Sequence, residues 1–600
     1  MNSAVTAHYQ TNFNESNEQI KRYETLINNY SILRLIVIAA GIFFFYQSLK
    51  FEGSFLPVLV FFIVIVIFSL LVRKQNSFER QRDYFSNLSK VNVNEIDSIS
   101  RRKNMYDDGS AWADDLHPYT SDLDIFGKGS LFELLNRCAT GLGNNTLSSW
   151  LKEKAPTKEI RERQNAVEEL AAKQFWKQKF QAVLLFSNGH SEDQVQKLFQ
   201  YMRTVPANRS GLITFYLDWS PWIFLLAAIG AWFYPIIILV IIALGITNLL
   251  FMQAYHLLVL KTDGLVGKMS KILGHFSEAI TTISEEKWES ELCKQLAFDL
   301  KNEEKGKLPA EVRRLSSLIN QLSLGLSPIG AVLNFIMPWN VGQAFAIEDW
   351  KKANQVNLEE AFDVIANLEA LISLSSVRSN YPEWVFPEIV ERANYTLNAK
   401  SVGHPLIAPA TRVANDYSLN DELKIDIITG SNMAGKSTFL RTLGINTVLA
   451  LSGAPVCAER MDVSPMLIFS YMRIRDSLNE NTSTFKAELD RLQSLLNVLQ
   501  TDGKVFFLID EMLRGTNSVD KYLGSKAVIE KLISQKAVGI IATHDLQIAE
   551  LEQKNPLYIR NFYFDIQIEG ADMKFDYKLK AGECKTFNAS ILLKRLGIGE

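Results

Sequence analysis

The sequence is short of cysteine, lacks a surplus of charge of either sign, and contains neither an internal repeat nor a low-complexity tract. Its four cysteines, Cys138, Cys293, Cys457 and Cys584, are scattered without metal-ligand spacing. That excludes a disulfide framework or a zinc module and suits a reducing compartment. Lysine and arginine number 63 against 66 aspartates and glutamates, a net charge of −3, so no global basicity advertises nucleic acid. The charged stretch Lys261 to Arg314 balances ten basic against ten acidic residues, which reads as a salt-laced surface and not a basic groove. A cleaved signal peptide is not expected. Some thirty mostly polar residues precede the first apolar run, and no small-residue cleavage site follows it.

What is present is apolar material, unevenly spread. Hydrophobic residues make up 47% of 600, enough for more than one packed core. Leu35–Leu49 and Phe55–Val72 are nearly uncharged runs parted by Lys50-Phe51-Glu52-Gly53, and Trp222–Met252 carries no charge at all. A membrane span needs about 20 apolar residues, with roughly 17 tolerated. The first pair therefore predicts a helical hairpin over about 32–49 and 55–72. The third stretch, extended back to Ile213 with Asp218 at the interface and a turn at Phe233-Tyr234-Pro235, predicts a second hairpin over 213–252. Lys21, Arg22, Arg34, Arg73, Lys74, Arg80, Arg82, Lys261, Lys268 and Lys271 flank the hairpins, whereas the first intervening loop offers only Lys50. By the positive-inside rule, all large segments face the cytoplasm. The expected plan is a lead-in and hairpin over 1–75, a helical block over 76–210, the second hairpin, a helical block over 254–399, and an α/β domain over 401–600. In the last block short β runs alternate with helical patterns.

The α/β block carries chemistry. The strand Leu423–Thr429 ends in Gly430-Ser431-Asn432-Met433-Ala434-Gly435-Lys436-Ser437, followed by the helical Thr438-Phe439-Leu440-Arg441. This is a complete phosphate-binding (Walker A) loop. Gly430 and Gly435 let backbone N–H groups wrap phosphate, Lys436 reaches the β/γ-phosphates, and the Ser437 hydroxyl ligates Mg²⁺. A second strand, Val505–Ile509, ends in Asp510-Glu511, the Walker B arrangement: Asp510 for the Mg²⁺ shell, Glu511 to polarise the attacking water. A third strand, Val538–Thr543, delivers His544 to the same sheet edge, where a γ-phosphate sensor would sit. Read alone, a pair of acids or a lone histidine is ordinary surface or core material. Their order behind a Walker A loop gives them roles.

These residues resemble one family. Thr429–Thr438 closely resembles the Walker A of the MutS DNA mismatch repair ATPases, and Asp510-Glu511-Met512-Leu513-Arg514-Gly515-Thr516-Asn517-Ser518-Val519-Asp520 resembles that family's Walker B running into its D-loop at Asp520. Ala542-Thr543-His544 is similar to its switch histidine, and Ser483-Thr484-Phe485-Lys486-Ala487-Glu488 to its Ser-Thr-Phe signature. Gly403-His404-Pro405, Val413-Ala414-Asn415, and the stretches Leu123–Gly127, Leu147–Leu151 and Ile160–Val167 also fit, the last three resembling the helical core domain. The resemblance implies ATP and Mg²⁺, a homodimer in which Ser483 and Thr484 reach the partner's γ-phosphate, and DNA as a ligand. Tyr577 is implied to cover the adenine, with residues 430–438 holding the phosphates.

Four departures qualify the resemblance. Residues 1–115 hold a hairpin where a mismatch-reading domain would be, without a Phe-x-Glu wedge in a suitable setting. Arg412 stands where an adenine-stacking aromatic is usual, Ala434 replaces a glycine, and little of the dimer-stabilising tail follows Leu596-Gly597-Ile598. The second hairpin also lies within the region that normally feeds long levers to a DNA clamp.

The expected fold is thus multidomain: an α-helical core and lever with transmembrane hairpins, plus a C-terminal parallel-sheet P-loop ATPase domain. The expected function is a membrane-anchored ATPase coupled to DNA. Two alternatives stand beside it: an ATP-driven signalling or scaffolding switch without DNA, and an ABC-type transporter. The last would need a Leu-Ser-Gly-Gly-Gln string shortly before Walker B, whereas Leu451-Ser452-Gly453-Ala454-Pro455 lies too early.

Overall fold

The computed structural model describes residues 2–50, 56–187, 192–267, 269–301, 308–431, 434–472, 484–501, 503–514, 517–569 and 572–584. The first half is helical: α1 (Asn2–Ser48), α2 (Leu56–Arg101), α3 (Leu131–Leu135), α4 (Gly141–Lys152), α5 (Thr157–Ala172), α6 (Gln174–Leu184), α7 (Glu192–Arg203), α8 (Gly211–Phe233), α9 (Ile238–Ala254) and α10 (His256–Val266). Helices α11 (Ser270–Glu285), α12 (Glu291–Lys301), α13 (Leu308–Gly325), α14 (Pro328–Ile336) and α15 (Trp339–Asn380) complete it.

Helices α1 and α2 run on far beyond their apolar ends. The break expected near residue 75 has no counterpart, because α2 passes it without interruption. The physical reason is local: after Pro57, which sits harmlessly in the first turn, α2 contains neither proline nor glycine. Its polar half buries Ser89, Val91, Asn92, Glu95 and Ser98 against the helical core. A buried network ties the pair down. Arg137 donates to both oxygens of Glu95 (2.5 and 2.9 Å), Asn380 donates to Glu95 (2.6 Å), and the Tyr9 hydroxyl donates to Asn380 (3.0 Å).

Among the described residues, four helices are long and apolar enough to cross a membrane: α1, α2, α8, and α9 with the turn before it. The side chains of their apolar stretches are mostly not core: Leu35 (68%), Leu226 (68%) and Leu239 (63%) stand exposed. Gly41 lets α1 approach α2 closely, since a side chain there would meet Val64 at 2.7 Å.

Helical structure, expected to reach Ala399, stops at Asn380. Next come β1 (Glu388–Ile389), β2 (Tyr395–Val402), β3 (Asn415–Tyr417), β4 (Asn420–Glu422), β5 (Ile425–Thr429), α16 (Lys436–Ser452), β6 (Arg460–Val463), β7 (Leu467–Tyr471), α17 (Thr484–Thr501) and β8 (Val505–Asp510). The chain continues through α18 (Ser518–Ser534), β9 (Val538–Thr543), α19 (Leu551–Lys554), β10 (Ile559–Glu569) and β11 (Asp572–Ala581).

Two sheets result. The larger has the order β11-β10-β5-β9-β8-β7, parallel except for the β10–β11 hairpin. The smaller has the order β1-β6-β2-β3 with β4 also on β2, and is mostly antiparallel. β1, β3 and β4 are only two or three residues long, which is why they do not stand out as β runs. The central strands of the large sheet, β5, β8 and β9, are buried along their whole length. They are apolar on both faces because both are covered, by α16 and the helical core on one side and by α17 and α18 on the other.

Candidate nucleotide site

The site lies at the C-terminal edge of the large sheet, where β5, β8 and β9 end side by side. From β5 the chain turns through Gly430 (φ 143°) to Gly435 (φ 103°), which caps α16. Both angles favour glycine, and space demands it as well. A side chain at Gly430 would meet the Phe564 carbonyl oxygen at 2.8 Å, and one at Gly435 the Tyr577 ring at 3.0 Å. Lys436 opens α16, buried, with Nζ donating to the carbonyls of Gly430 (2.6 Å) and Ser431 (2.9 Å). The ammonium thus braces the loop it belongs to. Burial lowers its pKa, opposed by the nearby carboxylates of Glu511 and Asp510.

β8 ends in Asp510, and the chain then bends sharply: Glu511 (φ 58°) and Leu513 (φ 54°) are both left-handed, an uncommon conformation for side-chain-bearing residues. The Glu511 N–H donates to the Ala542 carbonyl at the end of β9 (2.9 Å). That bend brings the Glu511 carboxylate 3.4 Å from His544 Nδ1. The Ser437 hydroxyl lies beside the Asp510 carboxyl and favours its charged form. Burial raises the Asp510 pKa, while Ser437, Arg514 and Lys436 pull it down. Ser437 and Thr438 lie in the first turn of α16, so β5, β8, β9 and α16 each contribute to one cluster.

Tyr577 comes from the β10–β11 hairpin. Its left-handed backbone (φ 52°) sets the ring over Gly435 and parallel to Phe575 (5.8 Å between centroids). Asn415 clamps this strand, donating to the Tyr577 carbonyl (3.0 Å) and accepting from Leu579 N–H (2.8 Å). Arg412 instead faces the protein, donating to the Ile407 carbonyl (3.1 and 2.8 Å) and lying 2.9 Å from Cys457 Sγ. Asp520 caps α18 with Asn517, whose side chain accepts from Asp520 N–H (2.9 Å) and donates to its carboxylate (2.7 Å). Ala434 is buried in the loop. Asn432, Met433 and Ser483 lie outside the described residues; Thr484 begins α17.

Two contributors carry no role in the sequence reading. Arg514 Nε sits 3.4 Å from Glu511, and its Nη2 donates to the Asp510 carbonyl (2.9 Å), giving the acid pair a counter-charge. Glu488, buried in the first turns of α17, accepts from Arg514 N–H (3.2 Å) and so fixes that arginine's loop. The spacing between Glu488 and Arg514 follows no local period. The only sequence signal was their membership in two adjacent motifs.

Comparison with known proteins agrees on where this machinery lies. The model for MutS domain V matches residues 426–591, from β5 to beyond β11, and the model for MutS domain III matches residues 117–208, from before α3 to just short of α8. The chain belongs to the MutS family. The DNA mismatch repair protein MutS of Thermotoga maritima is 33% identical over 241 residues, covering 39% of this chain and 29% of that protein. The MutS of Aquifex pyrophilus is 34% identical over 223 residues (36% and 25%), and mouse MutS protein homolog 4 is 30% identical over 253 (38% and 26%). The matched region therefore spans under a third of these relatives. Between the two matched MutS domains lie residues 209–425, which include α8, α9 and the long α15.

Proposed function

We propose that this MutS-family chain is a membrane-anchored ATPase that hydrolyses ATP to ADP and phosphate in a site completed across a homodimer, and that couples this cycle to DNA. One observation carries the catalytic part: Lys436, the Ser437–Asp510 pair and the Glu511–His544 pair converge at one sheet edge. Residues 430–438 supply the phosphate cradle, with backbone N–H groups at the α16 N-terminus facing the anion. Lys436, released from its own loop carbonyls, contacts the β/γ-phosphates. Ser437 and Asp510 are adjacent hard oxygen donors, the kind Mg²⁺ takes, and would hold that ion, whose charge neutralises phosphate oxygens. Glu511 orients and deprotonates the attacking water. His544, within reach of that carboxylate, senses the γ-phosphate, and the Tyr577 ring covers the adenine.

The test is a pair of variants of the full chain in nanodiscs. Lys436→Ala is expected to lose tight ATP binding. Glu511→Gln is expected to bind ATP normally and hydrolyse it at least about a hundredfold more slowly. Wild-type turnover by Glu511→Gln removes that residue from the mechanism. For the dimer, Ser483→Ala and Lys436→Ala subunits, each inactive alone, are expected to regain one working site when mixed. A mixture that stays dead while mixed dimers form refutes the shared site.

The DNA reading is supported by the mismatch-repair names of the relatives. It is tested by binding of homoduplex, mismatched and branched DNA to the full chain with and without ATP. A second reading, an ATP-driven membrane switch without DNA, is favoured by a particular observation: the α8–α9 hairpin, apolar and exposed over most of its length, springs from the end of domain III. DNA binding no tighter than to an equally charged polyanion would select it. Both readings place the hairpins in the bilayer and every soluble segment in the cytoplasm, as reporter fusions at about residues 110, 300 and 600 would show.

A further inference from the structure

From Leu315 to Ile347 the chain has no charged residue and no histidine, although Ser, Asn, Gln and Pro interrupt its apolar pattern. This stretch covers most of α13, all of α14 and the start of α15, and α13 and α14 meet at a 95° bend. A bend frees carbonyls at one helix end and N–H groups at the next start, and in water the solvent satisfies them. Here side chains do so. Asn334, buried, donates to the Gly325 carbonyl (3.0 Å) at the end of α13, and Trp339 Nε1 donates to the Gln321 carbonyl (2.8 Å). Asn248, buried within the otherwise greasy α9, donates to the last carbonyls of α14, on Phe335 (2.9 Å) and Ile336 (3.0 Å). The Tyr216 hydroxyl of α8 in turn donates to Asn248 (2.6 Å). Ser327 caps the start of α14 by accepting from Gly330 N–H.

Internal pairing of this kind is what a non-aqueous surrounding demands of a broken helix. The packing agrees. The Phe335 ring lies on Gly245 of α9, where any side chain would overlap it, and Phe335 also stands edge-on to Phe224 of α8. Val332 (60%) meanwhile faces outward, as do Leu324 and Leu326.

We propose that α13, α14 and the start of α15 form a third membrane element, a re-entrant tip seated in the cytoplasmic leaflet against α8 and α9. The proposal rests on the reading of α8 and α9 as membrane-spanning. Lipid is the occupant of the outward face because α14 packs directly on α9 and reaches α8 through Phe335 and Phe224, and the exposed apolar faces of those two helices continue its own. The element enters and leaves on one side, since α13 and α15 pack against each other and α13 also packs on α11. Asn248 lies six residues, about 9 Å along the helix, from the end of α9 at Ala254, so the tip stays within one leaflet.

The wild-type chain allows a direct test. Trypsin cuts after Arg209, Lys261, Arg314 and Lys351, so α8–α9 and the tip each fall on one peptide, 210–261 and 315–351. A carbene-generating probe partitioned into phosphatidylcholine–phosphatidylglycerol vesicles is expected to label peptide 315–351 within about threefold of peptide 210–261, with adducts on Leu324, Leu326 or Val332. Labelling of 210–261 with background levels on 315–351 overturns the tip and leaves the hairpin standing. Background on both peptides overturns the membrane reading on which the tip rests. A spin label at Val332→Cys provides the second measurement. It is expected to be oxygen-accessible and shielded from a water-soluble nickel chelate, as at Leu239→Cys. Exposure to the chelate, or shielding from both reagents by a second protein copy, refutes lipid contact.

Discussion

The sheet half and the hairpin half solve opposite problems with polar groups. At the end of the sheet, charged residues are held close together in a partly dry place, as the proposed chemistry needs: Lys436, Asp510, Glu511 and Arg514 gather around one loop. In the hairpin half, the polar groups that join elements pair with one another: Asn248 and Asn334 with helix ends, Glu95 with Arg137. On the proposed function, the first cluster serves a reaction and the second a set of joints. Measurements can press on that distinction.

The largest expected effect is at a joint. Arg137→Met leaves the Glu95 carboxylate buried without its cation, which costs about 3–5 kcal/mol and should appear as a large fall in Tm. Adding Glu95→Leu is expected to restore most of it. If the double variant is as unstable as the single one, the network serves more than mutual neutralisation.

Next comes the reaction side. Glu511→Gln is expected to slow turnover at least about a hundredfold while Tm stays within a degree or two of wild type, because this residue sits where the backbone is already left-handed and half-committed to function. A marked stability change would blur the division.

Third is Glu369, a carboxyl of α15 that accepts from the N–H groups of Ala139 and Thr140 and from the Thr140 hydroxyl at the start of α4. Burial pushes it up to about 7. Its folded pKa is raised above the unfolded value, so the folded state holds this proton more tightly. Stability is then greatest at low pH, falls as pH climbs from about 4.5 to 7, and levels off above, a change on the order of 1–3 kcal/mol. Glu369→Gln is expected to flatten that portion of a Tm-versus-pH curve without altering kcat. An unchanged slope would assign the dependence elsewhere.

The smallest effect is at Tyr577. Removing its ring is expected to raise KM for ATP about fivefold to tenfold, in keeping with the loss of one base–aromatic stack, with kcat unchanged and Tyr577→Phe near wild type. A fall in kcat would mean that the ring positions Gly435 and not the base.

How legible this was in the sequence follows from the range of the contacts. The phosphate loop announces itself because its glycines, lysine and hydroxyls are contiguous and each has one chemical reason to be there. Arg514 and Glu488 stayed silent because their pairing is made by the fold across 26 residues. Helix α2 was divided near residue 75 in the sequence reading because its apolar run ends there, whereas helix ends are set by breakers, and α2 has neither proline nor glycine after Pro57. The tip at 315–347 was passed over because Ser, Asn and Gln dilute its apolar signal, and these are the residues that make its bend possible. The small sheet was missed as well, its strands β1, β3 and β4 being two or three residues long.

The continuity of α1 has a mechanical consequence. As one helix of 47 residues it is a rod of about 70 Å, tied to the core near its start where Tyr9 meets Asn380 and Asn12 meets Gln178, and packed along its length on α2. Asn380 ends α15, and from there Arg102 over Tyr381, Tyr381 on Trp384, and Trp384 beneath Arg412 form a stack leading to the loop that Asn446 of α16 grips through the Gly403 carbonyl. A rod pivoted beside such a stack acts as a pointer. About 58 Å of α1 lie beyond Tyr9, so on the proposed membrane reading a tilt of about 5° there would sweep the far tip of the α1–α2 pair through about 5 Å, roughly one helical turn.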